Sequence, residues 1–172
     1  MDDYVTGQMS VSADVFRAVG GFDVTFTRNG LFGGEDLDFG YRLAMTGYRI
    51  VFKPEAISYQ RYVVDPEELL RRGKESGRSQ QELVLKHPEW AAELGRDLRY
   101  KSLKSRLVGG ALSLAPPVAL RPLRAVAVAL VRAGRREYLT RRLFAALFIA
   151  EFRRGARQVR RSKRADRMYV LA

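Results

Sequence analysis

The stretch Gly30-Leu31-Phe32-Gly33-Gly34-Glu35-Asp36-Leu37-Asp38-Phe39-Gly40-Tyr41-Arg42-Leu43 joins a glycine pair to a run of acids. Two glycines give a tight backbone approach free of side chains. Leu37, Tyr41 and Ala44 recur at spacings of four and three, which predicts a helix over 35–45 that Gly47 closes. Glu35, Asp36 and Asp38 then lie in its first turn. There the helix dipole favours a charged carboxylate by about 0.3–1 kcal/mol at an exposed site. A carboxylate held beside open backbone can take a proton from a hydroxyl, the task of a general base. Phe32 offers a flat apolar face to a sugar ring. Acids in a first turn and paired glycines before it also occur purely as helix-start chemistry, so spacing alone leaves both readings open.

Outward from this stretch, Ser12 followed by 13–19 predicts a short helix capped by its hydroxyl and stopped at Gly20-Gly21. Tyr48-Arg49-Ile50-Val51-Phe52 is β-rich and predicts a strand ended by Pro54. Residues 1–64 thus read as a mixed α/β piece. In 65–100, Asp65-Pro66-Glu67-Glu68 and Ser79-Gln80-Gln81-Glu82 predict two capped helices separated by Gly73–Gly77.

Four blocks in order then carry a resemblance. They are Thr6-Gly7-Gln8-Met9-Ser10-Val11-Ser12, Phe16-Arg17-Ala18-Val19-Gly20-Gly21-Phe22-Asp23, Gly33 to Leu43, and Gly47-Tyr48-Arg49-Ile50. Residues 6–62 resemble the C-terminal half of the catalytic domain of family 2-type inverting glycosyltransferases, which includes the galactosyltransferase C-terminal module. The resemblance implies a partial GT-A-type α/β half-domain over 1–64 (the acceptor side); beyond it, the caps and the arginine-bordered apolar runs read as a helical segment over 65–100 and a basic amphipathic helical tail over 101–172. It also implies direct displacement at a nucleotide-activated sugar of hexosyltransferase type, in a bacterial cell-envelope setting. Asp36 maps onto the base that deprotonates the acceptor hydroxyl. Glu35, Phe32, Gly33 and Gly34 map onto the acceptor pocket. Asp38 and Arg42 fall on the same helix as orienting residues.

The family's donor half carries an Asp-x-Asp metal motif, and only five residues precede Thr6 here. A divalent cation, Mg or Mn, is expected for the family. Asp36-Leu37-Asp38 belongs to the acceptor motif, and Ile57-Ser58-Tyr59-Gln60-Arg61-Tyr62 lacks the metal-binding His of many members, so no metal ligand is assigned. His87, the single histidine, reads as a helix-end or surface residue. Diphosphate departure needs compensating charge, so the chain is expected to be inactive without a donor-binding half, supplied within a longer enzyme or by a separate protein.

Composition narrows the setting. There is no cysteine, hence no disulfide framework or thiolate metal site, and 47% of residues are apolar, so the chain folds. Met1-Asp2-Asp3-Tyr4 lacks the basic start of a secretory signal. Residues 1–98 hold 12 Lys/Arg against 16 Asp/Glu; residues 99–172 hold 19 against 3. The basic back predicts an anionic partner. Its longest uncharged run, 107–120, is short for a spanning helix and contains Pro116-Pro117. Runs 125–131 and 143–150, bordered by arginines, suit helices in a membrane interface, which places the chain in the cytoplasm at the inner face of the cell membrane. Two other classes stay in view. One is a non-catalytic membrane-surface or polyanion-binding module on a transferase remnant. The other is a nucleic-acid binder, disfavoured because no such motif is present.

Overall fold

The computed structural model describes residues 9–27, 33–59, 61, 63–91, 103–135 and 137–170. Helix is the only regular secondary structure among them, and no strand or sheet forms. The expected α/β, GT-A-type half-domain is therefore overturned. The reason lies at Tyr48–Phe52. Extended, β-branched sequence becomes a strand only when a neighbour completes its hydrogen-bond ladder, and no described residue does so. The segment has no regular secondary structure, with Ile50, Val51 and Phe52 exposed, Phe52 to 85%.

The chain divides into two compact units, Met1–Val63 and Val64–Ala172. In the first, α1 (Ala13–Val19) starts where the Ser12 hydroxyl accepts the Val15 N–H at 3.3 Å. It ends at Gly20 (φ +88°) and Gly21 (φ +64°), whose N–H groups return to the carbonyls of Arg17 and Phe16 at 3.0 and 2.9 Å. That left-handed pair is a glycine stop of the Schellman kind. A short 3₁₀ turn, Val24–Phe26, is capped by Asp23, whose carboxylate accepts the Thr25 N–H at 2.9 Å. The second helix, α2 (Glu35–Met45), spans the predicted residues. Phe16, Phe22 and Phe39 meet with ring centroids 5.1–5.4 Å apart, and Phe26 and Leu43 are buried.

In the second unit, α3 (Pro66–Lys86) begins with Asp65 accepting the Glu67 N–H at 2.8 Å. Two helices were predicted here, and one forms. Gly73 and Gly77 do not break it, because their missing side chains let another helix approach. That helix is the one spanning Tyr138–Val170, whose Phe148 ring would lie 2.9 Å from a Cβ on Gly73 and whose Phe152 backbone a Cβ on Gly77 would overlap. Close packing of this kind outweighs the roughly 1 kcal/mol helix penalty of glycine. His87 caps α3 and is buried.

The remaining helices are α4 (Leu103–Leu112), α5 (Arg121–Arg132, entered through the 3₁₀ turn Pro117–Leu120) and α6 (Tyr138–Val170). A Cβ on Gly109 of α4 would fall 2.7 Å from the Ala146 carbonyl oxygen and from Ile149 of α6. Leu70, Leu120, Ala127, Val128 and Leu147 form the core cluster. Arg132 forks onto Asp65 at 2.8 and 3.0 Å. The run 143–150 is not free to enter a membrane interface: Ala146, Leu147, Ile149 and Ala150 are buried between helices. Ala127 and Val128, within 125–131, are buried too. No described helix is long and apolar enough to cross a membrane.

Candidate functional site

The site begins with the turn into α2. Gly33 and Gly34 have φ of +78° and +107°, a left-handed pair that other residues rarely adopt. Among the described residues, a Cβ on Gly33 would meet nothing within 4 Å. Gly34 is the N-cap; it has no side chain to cap with, and its carbonyl accepts the Asp38 N–H at 2.9 Å. Phe32 lies outside the described residues, as do Thr6, Gly7 and Gln8 of the first block.

Glu35 and Asp36, the first two residues of α2, are half-buried. Their side chains share a hydrogen bond, and Glu35 Oε2 is buried without a hydrogen-bond partner. Burial raises the Glu35 pKa above the ordinary glutamate value; the charge and hydrogen bond of Asp36 raise it further, and a backbone hydrogen bond opposes them. Adjacent carboxyls behave this way because one proton between them relieves like-charge repulsion. Glu35 is thus disposed to hold a proton beside Asp36.

Asp38 and Arg42 lie one turn apart with a different orientation. Asp38 is wholly buried, and its Oδ2 accepts Arg42 Nε at 2.9 Å. Arg42 Nη1 and Nη2 donate to the carbonyls of Val19 and Gly21 at 2.5 and 2.6 Å, and the guanidinium stands 5.6 Å from the Phe39 ring centroid. One side chain therefore ties α2 to the glycine turn that ends α1. The i,i+4 acid–base spacing of Asp38 and Arg42 was visible in the sequence. The carbonyls of Val19 and Gly21 were not, because a backbone acceptor leaves no mark in side-chain pattern.

The donor set does not fit a divalent ion. Among the described residues no group of three or more His, Asp or Glu converges on one point. Asp38 is occupied by Arg42, and burial raises the Glu35 pKa above the ordinary glutamate value. The second unit holds a groove of about 780 Å³ lined by Glu67, Arg121, Arg124 and Arg132 over Ala125, Val128 and Ala129, none of them a candidate site residue.

The family model described as glycosyl transferase family group 2 matches residues 4–149. The chain belongs to that family, so its general chemistry is glycosyl transfer from a nucleotide-sugar donor to a glycan acceptor. Divalent cations are common in the family. No curated protein and no solved structure matches the chain.

Proposed function

We propose that this chain supplies the acceptor-activating part of an inverting glycosyltransferase, with Asp36 as general base. The acceptor hydroxyl approaches over Gly33, where a Cβ would meet no described atom within 4 Å. As its oxygen bonds to the anomeric carbon, the proton passes to Asp36 and the bond to the nucleotide diphosphate breaks on the opposite face. One base and no enzyme nucleophile means one displacement, hence inversion. Glu35, hydrogen-bonded to Asp36, holds that carboxylate in place. Asp38 and Arg42 fix the position of α2.

The pairing of Glu35 with Asp36 at the glycine-gated start of α2 carries this reading. The groups that bind the nucleotide and balance the leaving charge are assigned to a donor-binding half, and a hexosyl donor and a lipid-linked or envelope glycan acceptor fit the same reading. The strongly basic second half, 19 Lys/Arg against 3 Asp/Glu after residue 98, supports work at the anionic inner face of the cell membrane.

Product stereochemistry tests the displacement. Membranes carrying the native enzyme are given nucleotide sugar and acceptor, and the new linkage is read by proton NMR. An anomeric configuration opposite to the donor's is expected; retention would require a second displacement and a nucleophile, and would overturn the assignment.

A further inference from the structure

The faces that sequence pattern nominated for a membrane, 125–131 and 143–150, contribute buried side chains to the helical unit. Within the helical unit, a run of exposed apolar side chains lies on α4 and the turn after it, while Val126 is exposed within 125–131. Leu103, Leu107 and Val108 are 67%, 65% and 50% exposed, followed by Leu114 at 78% and Val118 at 61%. The opposite face of α4 is committed: Ser105 and Gly109 are buried, Gly109 against Ala146 and Ile149. The orientation of the helix is therefore fixed, with Leu103 and Leu107 outward and Leu112 packed against the core.

Cations frame this stripe. Lys104, next to Leu103, and Arg121, after Val118, are exposed. Arg153 reaches over from α6 to Gly110. Arg154 donates to the carbonyls of Leu112 and Ala115 at 3.1 and 2.7 Å, and Arg157 donates to the Ser113 hydroxyl at 3.0 Å and to its carbonyl. The guanidiniums crowd one another enough that Arg157, first through burial and then through Arg161, Arg154 and Arg153, has its pKa lowered. The nearby acid, Glu151, is paired with Arg154 at 2.8 Å. Apolar side chains within a cationic rim match an anionic lipid surface, where acyl chains take the leucines and head-group phosphates take the cations. A nucleic acid would use the cations and leave the leucines wet. A helix of ten residues is about 15 Å long, so it lies on such a surface and does not cross it.

We propose that the α4 stripe Leu103-Leu107-Val108-Leu114-Val118 is the lipid-inserting surface of this protein. The proposal rests on the membrane-face reading given above and adds to it which residues enter the bilayer.

The test uses the full chain and vesicles of phosphatidylcholine with or without phosphatidylglycerol. Since the chain has no cysteine, Leu114→Cys carrying an environment-sensitive fluorophore reports insertion directly. Binding to the anionic vesicles is expected, with a blue shift that persists when salt rises from about 0.1 to about 1 M and charge attraction is screened. Leu107→Asp with Leu114→Asp is expected to weaken partitioning about tenfold or more. Both sites are exposed, and unchanged helical circular dichroism verifies the fold. If wild type binds and the double variant binds equally, adsorption is purely electrostatic and the stripe assignment is wrong, while the membrane reading survives. If wild type ignores both vesicles, the membrane reading itself fails. If the double variant instead turns an oligomer into a monomer by light scattering, the stripe is a chain–chain interface and the proposal is overturned.

Discussion

Replacing Arg42 by Met removes three hydrogen bonds at once, to Asp38 Oδ2, the Val19 carbonyl and the Gly21 carbonyl. Methionine fills much of the same volume, so the apolar stem is retained and the loss is polar. Asp38 is wholly buried and the Arg42 side chain is 22% exposed, which places the pair in the class whose disruption costs about 3–5 kcal/mol. A unit the size of Met1–Val63 holds roughly 3–9 kcal/mol in total at typical stability per residue. Arg42→Met is therefore expected to remove about a third or more of the first unit's stability at 25 °C. Adding Asp38→Asn should recover part of the loss, because no buried charge then lacks its counter-ion. Urea unfolding followed by circular dichroism, with both single variants and the double variant, gives the coupling energy. A loss below about 1 kcal/mol for Arg42→Met, or no coupling to Asp38, would refute the clamp.

Other consequences follow from single atoms. Gly77→Ala places a Cβ onto the Phe152 carbonyl and is expected to destabilise the second unit by about 3 kcal/mol or more, whereas Gly33→Ala meets no described atom and costs about 1–2 kcal/mol from its left-handed backbone alone; thermal melts of the two variants separate these cases. Glu35 has a raised pKa, so the folded state holds its proton to higher pH than the unfolded state does. Its contribution to stability therefore falls as pH rises from the unfolded to the folded pKa, and stays lower above that range. Glu35→Gln should match wild type below the ordinary glutamate pKa and exceed it at neutral pH; equal stability at both would remove the carboxyl pair from the account.

Helices α1 and α2 were legible because each is written in local chemistry. Ser12, Gly20-Gly21, Gly34 and Gly47 mark their ends, but the inward face of α2 is made by Asp38, Phe39 and Leu43 and not by the Leu37, Tyr41 and Ala44 that the spacing picked out. The missing sheet was not legible, since Tyr48–Phe52 states a preference for extension and says nothing of whether a neighbour exists to pair with. Gly73 and Gly77 misled for a related reason. A glycine in a helix pattern reads as a break until the helix it admits is known, and Phe148 and Phe152 lie about 75 residues further on. The same distance hid the burial of 143–150. At the site, paired acids after a glycine pair were plain in the sequence, while the inward turn of Asp38 and Arg42 depended on carbonyls contributed by α1.

The central claim is that Asp36 takes the acceptor proton. The most direct measurement is the transfer rate of the native enzyme carrying Asp36→Asn, an isosteric change that keeps hydrogen-bonding capacity and removes basicity. With folding verified by circular dichroism, kcat is expected to fall by about 10²–10⁴-fold at unchanged donor KM. Transfer at the wild-type rate would contradict the assignment of Asp36 as the base.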